Sequence, residues 1–490
     1  MAPRRSLAGN FLAVLFGQLG TWSLTVLTLT LLPRYLGPAG MGDISVGGTV
    51  AALSAVVAGM GIGTLVTREI ARGADESGSL AGTAVAVSFT LGGGVGAIAF
   101  MGARFAGYEG DTLVAVAWSC VGVPFIVSSA VAIAILQGKE RMKAAALVDV
   151  VSKALLLAVV IGVVALDLGL AAYLAGSLAV LVLTFTTLMA LLRRYHRPRF
   201  AGFSQSGVRA LVGGSVAFFA INVIWAVYTS LDPLLLSWLA NREAVGIYAA
   251  PMRIFGTLMF IPVALTTVVF PRLAALHGSG SDGGEFGAFS GDILRMSLVT
   301  SALVSVGAVG FSDELLVRIL GDEFARSGPV IVVMALSLLP TSMSMVCVRV
   351  AYASDRQRQV SAIGAASLVI RVGLAVMLIP VFDARWSNPA LGGAVSLLAV
   401  ECAMTLALSR LLPSSVATPG LWRFAARTLL SMLAALGLLA VLAPWTGSLV
   451  ASGLAGLGFL ALCAMLGVIT PREAPRSLRA RQPGLLLGAD

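Results

Sequence analysis

The chain contains windows long enough to cross a membrane that hold no charged residue at all. Ser6–Pro33, Ile44–Thr67, Ser77–Ala103, Thr112–Gly138 and Leu168–Leu192 each lack Asp, Glu, Lys and Arg. Thr428–Pro471 extends the pattern to 44 residues and is interrupted by Ala443-Pro444-Trp445-Thr446-Gly447, so it holds two spans. A helix crossing the hydrocarbon core needs about 20 apolar residues. Only 11% of the 490 residues are charged and 58% are hydrophobic, whereas a soluble domain carries about 25% charged residues. So little polarity cannot cover a globular surface in water. The chain reads as an all-α, multi-pass membrane protein.

Filling in the more charged middle gives fourteen spans, near 8–32, 43–65, 79–101, 112–137, 144–165, 168–192, 210–238, 244–270, 291–311, 328–351, 358–380, 389–411, 421–442 and 448–469. The first follows Arg4-Arg5 and outruns the roughly 7–15 apolar residues of a signal peptide, so it reads as an uncleaved span. Cytoplasmic loops of membrane proteins concentrate Lys and Arg. With both termini and every even-to-odd connection placed in the cytoplasm, those segments hold 23 Lys and Arg and the opposite side holds six; four within spans complete the 33. A miscounted span would scramble that bias. The net charge of +10 is therefore topology facing anionic lipid, and no basic domain for nucleic acid is indicated.

The sequence also echoes itself. Arg34-Tyr35-Leu36-Gly37-Pro38-Ala39-Gly40-Met41-Gly42 follows the first span, and Ser237-Trp238-Leu239-Ala240-Asn241-Arg242-Glu243-Ala244-Val245-Gly246-Ile247-Tyr248 follows the seventh. Each is a long helix, a short outer turn, a glycine and the next helix. Gln137-Gly138-Lys139-Glu140-Arg141 precedes a span containing Lys153, and Ser354-Asp355-Arg356-Gln357-Arg358 precedes one containing Arg371. An offset of six helices gives both halves one orientation, a parallel pseudo-two-fold repeat. The expected organisation is an N-lobe at 1–192, a basic linker at 193–209, a C-lobe at 210–412, two extra helices at 413–470 and a cytoplasmic tail at 471–490.

Enzymatic constellations are missing. The two histidines, His196 and His277, fall in predicted cytoplasmic loops, so no catalytic triad or H-E-x-x-H site assembles at membrane depth. The four cysteines form no C-x-x-C pair, and Gly138-Lys139 lacks the rest of a phosphate-binding loop. Glycine clusters at Gly59-x-Gly61-x-Gly63 and Gly92-Gly93-Gly94-x-Gly96 read as close helix packing. No catalytic residue, metal or cofactor is expected.

What remains is a short set of ionisable residues at membrane depth, each costly in lipid and expected to face a partner or a wet cavity. The cations are Lys153, Arg253 and Arg371, with Arg68 and Arg349 near inner ends; the acids are Asp149, Asp232 and Glu401. Asp149 and Lys153 are also spaced to pair with each other at i, i+4, and Arg68 and Arg349 are placed to snorkel to the inner headgroups. Cations drawn from both lobes suit a phosphate or pyrophosphate. Asp232-Pro233 combines a helix break with a carboxylate, a candidate for ion coupling beside Glu401 and Asp149.

Leu32-Pro33-Arg34-Tyr35-Leu36-Gly37-Pro38, Gly59–Gly63 and Thr67-Arg68-Glu69-Ile70-Ala71 together resemble the opening of Wzx-type polysaccharide flippases. Asp232-Pro233-Leu234-Leu235-Leu236 and Val245-Gly246-Ile247-Tyr248-Ala249-Ala250-Pro251-Met252-Arg253 resemble their second lobe, although Pro233 stands where the family commonly has a basic residue. The resemblance covers nearly the whole chain. It points to the multidrug/oligosaccharidyl-lipid/polysaccharide (MOP) exporter superfamily, which also holds MurJ-like lipid II flippases and MATE drug exporters. It implies alternating access around a V-shaped cavity between lobes in the bacterial cytoplasmic membrane. The implied substrate is a polyprenyl-pyrophosphate-linked oligosaccharide moved from inner to outer leaflet, with Arg253 and Asp232 the best-matched residues. Membrane lipids, a coupling H+ or Na+ and other polysaccharide-assembly proteins are the implied partners. The alternative is a MATE-like exporter of cationic drugs, whose cavity should be acidic or aromatic.

Overall fold

The structure is a computed structural model, and it describes residues 7–73, 78–139, 141–196, 198, 205–259, 262–263, 265–266, 269, 272–273, 276, 284–310 and 314–468. Arg4 and Arg5, much of the basic linker, His277, most of the expected eighth span beyond residue 259 and the tail 471–490 lie outside the described residues. Among those described, the regular structure is helical and contains no strand. In chain order the α-helices are α1 Leu7–Gly59, α2 Ile62–Ala71, α3 Ser79–Phe105, α4 Gly110–Gly138, α5 Met142–Ala165, α6 Gly169–Tyr195, α7 Gln205–Leu239 and α8 Arg242–Leu258. They continue with α9 Gly284–Gly310, α10 Glu314–Leu320, α11 Ser327–Ala353, α12 Gln357–Trp386, α13 Pro389–Ser409, α14 Pro419–Thr446 and α15 Ser448–Met465. Eleven helices among the described residues are long and apolar enough to cross a membrane, and α7 and α8 stand at the seventh and eighth expected spans.

Local chemistry sets the breaks. The first two expected spans are both inside α1, separated by a kink at Gly37, whose φ of 66° lies in the left-handed region that suits glycine. The second span does not run unbroken to residue 65 as expected. Met60 (φ 43°) and Gly61 (φ 74°) turn left-handed in succession, and α2 starts after them. Gly61 is thus a turn residue, not a packing one. In α13 and α14 the starts are capped: Asn388 accepts from the Leu391 N–H and Thr418 from the Leu421 N–H, each with proline at the next position.

Two compact units emerge, residues 1–250 with 319–323, and residues 251–318 with 324–490. In the first, Ile62, Leu65 and Val66 of α2 pack with Ala81 and Val85 of α3, Ile135 of α4, Leu188 and Leu192 of α6 and Leu211 of α7. In the second, Ala302 and Val306 of α9 pack with Ala435 and Leu439 of α14 and Ala455 and Phe459 of α15. The two C-terminal helices therefore share a core with α9.

The Gly92–Gly96 cluster works as expected, but through only two of its members. A Cβ at Gly92 would stand 2.6 Å from the Pro124 Cα, and one at Gly96 would stand 2.7 Å from the Cys120 carbonyl oxygen, while Gly93 and Gly94 face open space. Backbone cannot retreat as a flexible side chain does, and overpacking typically costs about 1–3 kcal/mol. Gly92→Ala is expected to lower the thermal stability of the detergent-solubilised protein, and Gly93→Ala to leave it unchanged or slightly raised; a fluorescence-detected melting series checks the contrast.

Candidate functional site

The expected site residues separate into three groups. In the first unit, Lys153 of α5 lines a cleft of about 430 Å³ bounded by α1, α4, α5 and α6. Its ammonium makes no hydrogen bond or ion pair with any described residue. The i, i+4 pairing with Asp149 is not formed: Asp149 is exposed and absent from the cleft lining, while Lys153 is only partly exposed within it. Trp118, Ser119, Tyr173, Ser177 and Thr184 line the same cleft. At the far end of α2, Arg68 pairs with its neighbour Glu69 at 2.9 Å, its side chain 47% exposed.

The second unit holds Arg253, Arg349, Arg371 and Glu401. Arg253 of α8 and Arg349 of α11 are half-buried. Arg371 of α12 is 1% exposed and Glu401 of α13 is 2% exposed. Arg371 lies fifteen residues before the end of α12 and Glu401 twelve after the start of α13. At 1.5 Å rise per residue, the two sit within about 5 Å in depth on helices that pack against each other. Lys153 and Arg371, equivalent in the repeat, thus occupy different surroundings, one facing a cleft and one enclosed.

The third group lies in the first unit, where the echoed turns meet. The Tyr248 hydroxyl donates to the Asp232 carboxylate, and both side chains are buried. A Cβ at Gly42 would overlap the carbonyl oxygen of Arg242, and one at Gly246 would overlap that of Pro38. Each repeat's glycine therefore receives the backbone of the other repeat's turn. Asp43, 1% exposed, accepts from the Thr112 hydroxyl and lies 3.4 Å from Arg242 Nη1, which is also 3.4 Å from Asp111 Oδ2. A buried carboxylate needs such compensation, because desolvation of an unpaired charge is severe.

Further contacts close the same end. Arg34 Nε donates to the Ile319 carbonyl at 2.9 Å. The Tyr35 hydroxyl donates to Asp167 Oδ1 at 2.8 Å and accepts from the Gly169 N–H. Tyr108 and Ser237 share a hydroxyl–hydroxyl hydrogen bond, and burial pushes the Tyr108 phenol above its ordinary pKa. Asn241 caps α8 through the Ala244 N–H. In sequence, Arg34 and Arg242 stand out only as members of the echoed turns, and Asp43, Asp111 and Thr112 carry no mark of a shared site. The signal was present in the echo of Gly42 and Gly246, which marked equivalent positions without showing that they touch.

With this geometry in place, the chain was compared with known proteins. A family model described as polysaccharide biosynthesis protein matches residues 7–277, more than half of the chain. No curated protein sequence matches it. Among solved structures, the lipid II flippase MurJ in an inward closed conformation superposes with a TM-score of 0.64 at 13% identity, covering 92% of this chain and 98% of that one. An inward-facing multidrug resistance MATE-family transporter of the MOP superfamily gives 0.62 at 16% identity, covering 78% and 91%. A MOP-superfamily transporter from Pyrococcus furiosus, described as having a binding pocket of reverse polarity, gives 0.53 at 15% identity, covering 81% and 92%. Identities this low establish shared fold alone. The fold is that of MOP-superfamily transporters, and the chain belongs to the polysaccharide biosynthesis protein family.

Proposed function

We propose that the protein moves a polyprenyl-pyrophosphate-linked oligosaccharide from the inner to the outer leaflet of the bacterial cytoplasmic membrane by alternating access. The observation that carries this reading is the cation that lines the cleft of the first unit. Lys153 lines that cleft and pairs with no described carboxylate, whereas Asp149 lies outside the lining and Asp232 and Glu401 are buried. A small cationic drug would call for the opposite arrangement. An anionic substrate meets a prohibitive cost in hydrocarbon, and fixed cations lower it while the lipid tail stays in the bilayer. Half-buried Arg253 is the proposed pyrophosphate contact.

In this reading the seam around Gly42, Gly246 and Asp43 is the outer gate in its shut state, with both termini cytoplasmic. Opening it separates the Asp43–Arg242 pair, and the barrier falls when water reaches both charges. The buried Asp232–Tyr248 pair is the proposed coupling element for H+ or Na+. Membrane potential is the other available drive, at about 2.3 kcal/mol per charge per 100 mV.

Mass spectrometry of polyprenyl-linked intermediates tests the substrate. Cells lacking the protein should accumulate complete glycan units on the pyrophosphate carrier, relieved by wild type and not by Arg253→Ala. An unchanged pool with altered sensitivity to cationic drugs would replace the flippase with a MATE-like exporter. The gate is tested in a cysteine-free background carrying Tyr108→Cys and Ser237→Cys. A reversible methanethiosulfonate cross-linker should stop transport by at least tenfold, and reduction should restore it; unimpeded transport in the cross-linked protein would show that this end stays shut throughout.

A further inference from the structure

The Lys153 cleft has a hydrogen-bonding character that its charge alone does not reveal. Ser177 Oγ donates to the Leu174 carbonyl and Thr184 Oγ1 to the Val180 carbonyl, each at 2.8 Å. Ser152 likewise donates to the Asp149 carbonyl at 2.8 Å. With their protons committed to the helix backbone, these hydroxyls face the cleft as acceptors. Among the described residues the only cation in the lining is Lys153, which has three donors and no acceptor. Trp118 and Tyr173 add aromatic surface, and the volume falls in the roughly 300–1,000 Å³ range of small-molecule sites.

A ligand that fits all of this must bring several O–H donors, an apolar C–H face and one anionic oxygen group. Bare pyrophosphate answers the cation but brings no donor to the three committed hydroxyls and no C–H face to the aromatic rings. A neutral sugar leaves the lysine unanswered, and a half-buried ammonium without a counter-charge is costly. A sugar ring bearing a carboxylate supplies every complement at once. We propose that this cleft, wholly within the first unit, is a subsite for an acidic sugar residue, with Lys153 as its specificity-determining cation. In assigning that sugar to the transported glycan, the proposal rests on the flippase reading.

Two measurements on the full-length protein test it. Saturation-transfer NMR in nanodiscs uses D-glucuronate, D-glucose and inorganic pyrophosphate as separate probes. Glucuronate is expected to be saturated by wild type and Lys153→Arg, and at least fivefold less by Lys153→Met, with the weak glucose signal equal in all three. Equal glucuronate signals in the Met variant, loss of glucose and glucuronate together, or displacement of glucuronate by equimolar pyrophosphate would each overturn the proposal. The second measurement compares flipping of a polyprenyl-pyrophosphate disaccharide containing glucuronate with its glucose counterpart in proteoliposomes. Lys153→Met should slow the acidic substrate at least tenfold relative to the neutral one, and equal slowing of both would again overturn it. If wild type moves neither lipid, the flippase reading fails, and the NMR result still decides whether the cleft binds an acidic sugar.

Discussion

The first unit depends on two glycines that allow the two halves of the repeat to meet backbone to backbone. Gly42 receives the Arg242 carbonyl and Gly246 receives the Pro38 carbonyl. Neither position has room for even a methyl group. The reciprocity follows from the repeat itself: two copies of a helix–turn–glycine–helix unit, in the same orientation, each offer the same bare backbone surface to the other. Such an approach brings polypeptide into van der Waals contact without interlocking side chains.

Around that seam, charge is handled by pairing and not by exclusion. Asp43 is buried but answered by Thr112 and by Arg242, which stays half in solvent and also reaches Asp111. The exposed half of Arg242 limits the strength of the bond, since a solvated guanidinium is screened. A pair built from one buried and one exposed partner closes firmly yet remains open to water. Asp232 is held in a different way, by a buried phenol one helix away. Lys153 departs from both patterns, for it lines a cleft and pairs with no described carboxylate. Asp43 and Asp232 are thus each met by a partner, and Lys153 faces its cleft without one among the described residues.

Arg371 shows why position in a repeat does not determine role. It occupies the site equivalent to Lys153, but its helix packs against α13, and its side chain is enclosed where Glu401 lies at a similar depth. Two cations at roughly equivalent depth in echoed spans are therefore a facing cation in one unit and a buried one in the other.

Much of this was legible in the sequence. Charge-free windows set the helices, because an unpaired charge in hydrocarbon is intolerable and a span must have a minimum length; among the described residues the helices fall within several residues of the expected limits, with a break at Met60-Gly61, an earlier start at Gly284 and a later end at Trp386. The repeat, the close-packing glycines at 92 and 96 and the family resemblance were also readable from residues in order. Three-dimensional packing alone decided which charges meet. Asp43 and Arg242 are 199 residues apart in sequence, and nothing in local pattern couples them. Asp149 and Lys153 are four apart on one helix and do not pair, because α4 and α6 leave the lysine a cleft to face. Hydropathy is a property of each segment by itself, so sequence determines it. A counter-ion is a property of what lies opposite, and only the tertiary structure supplies that.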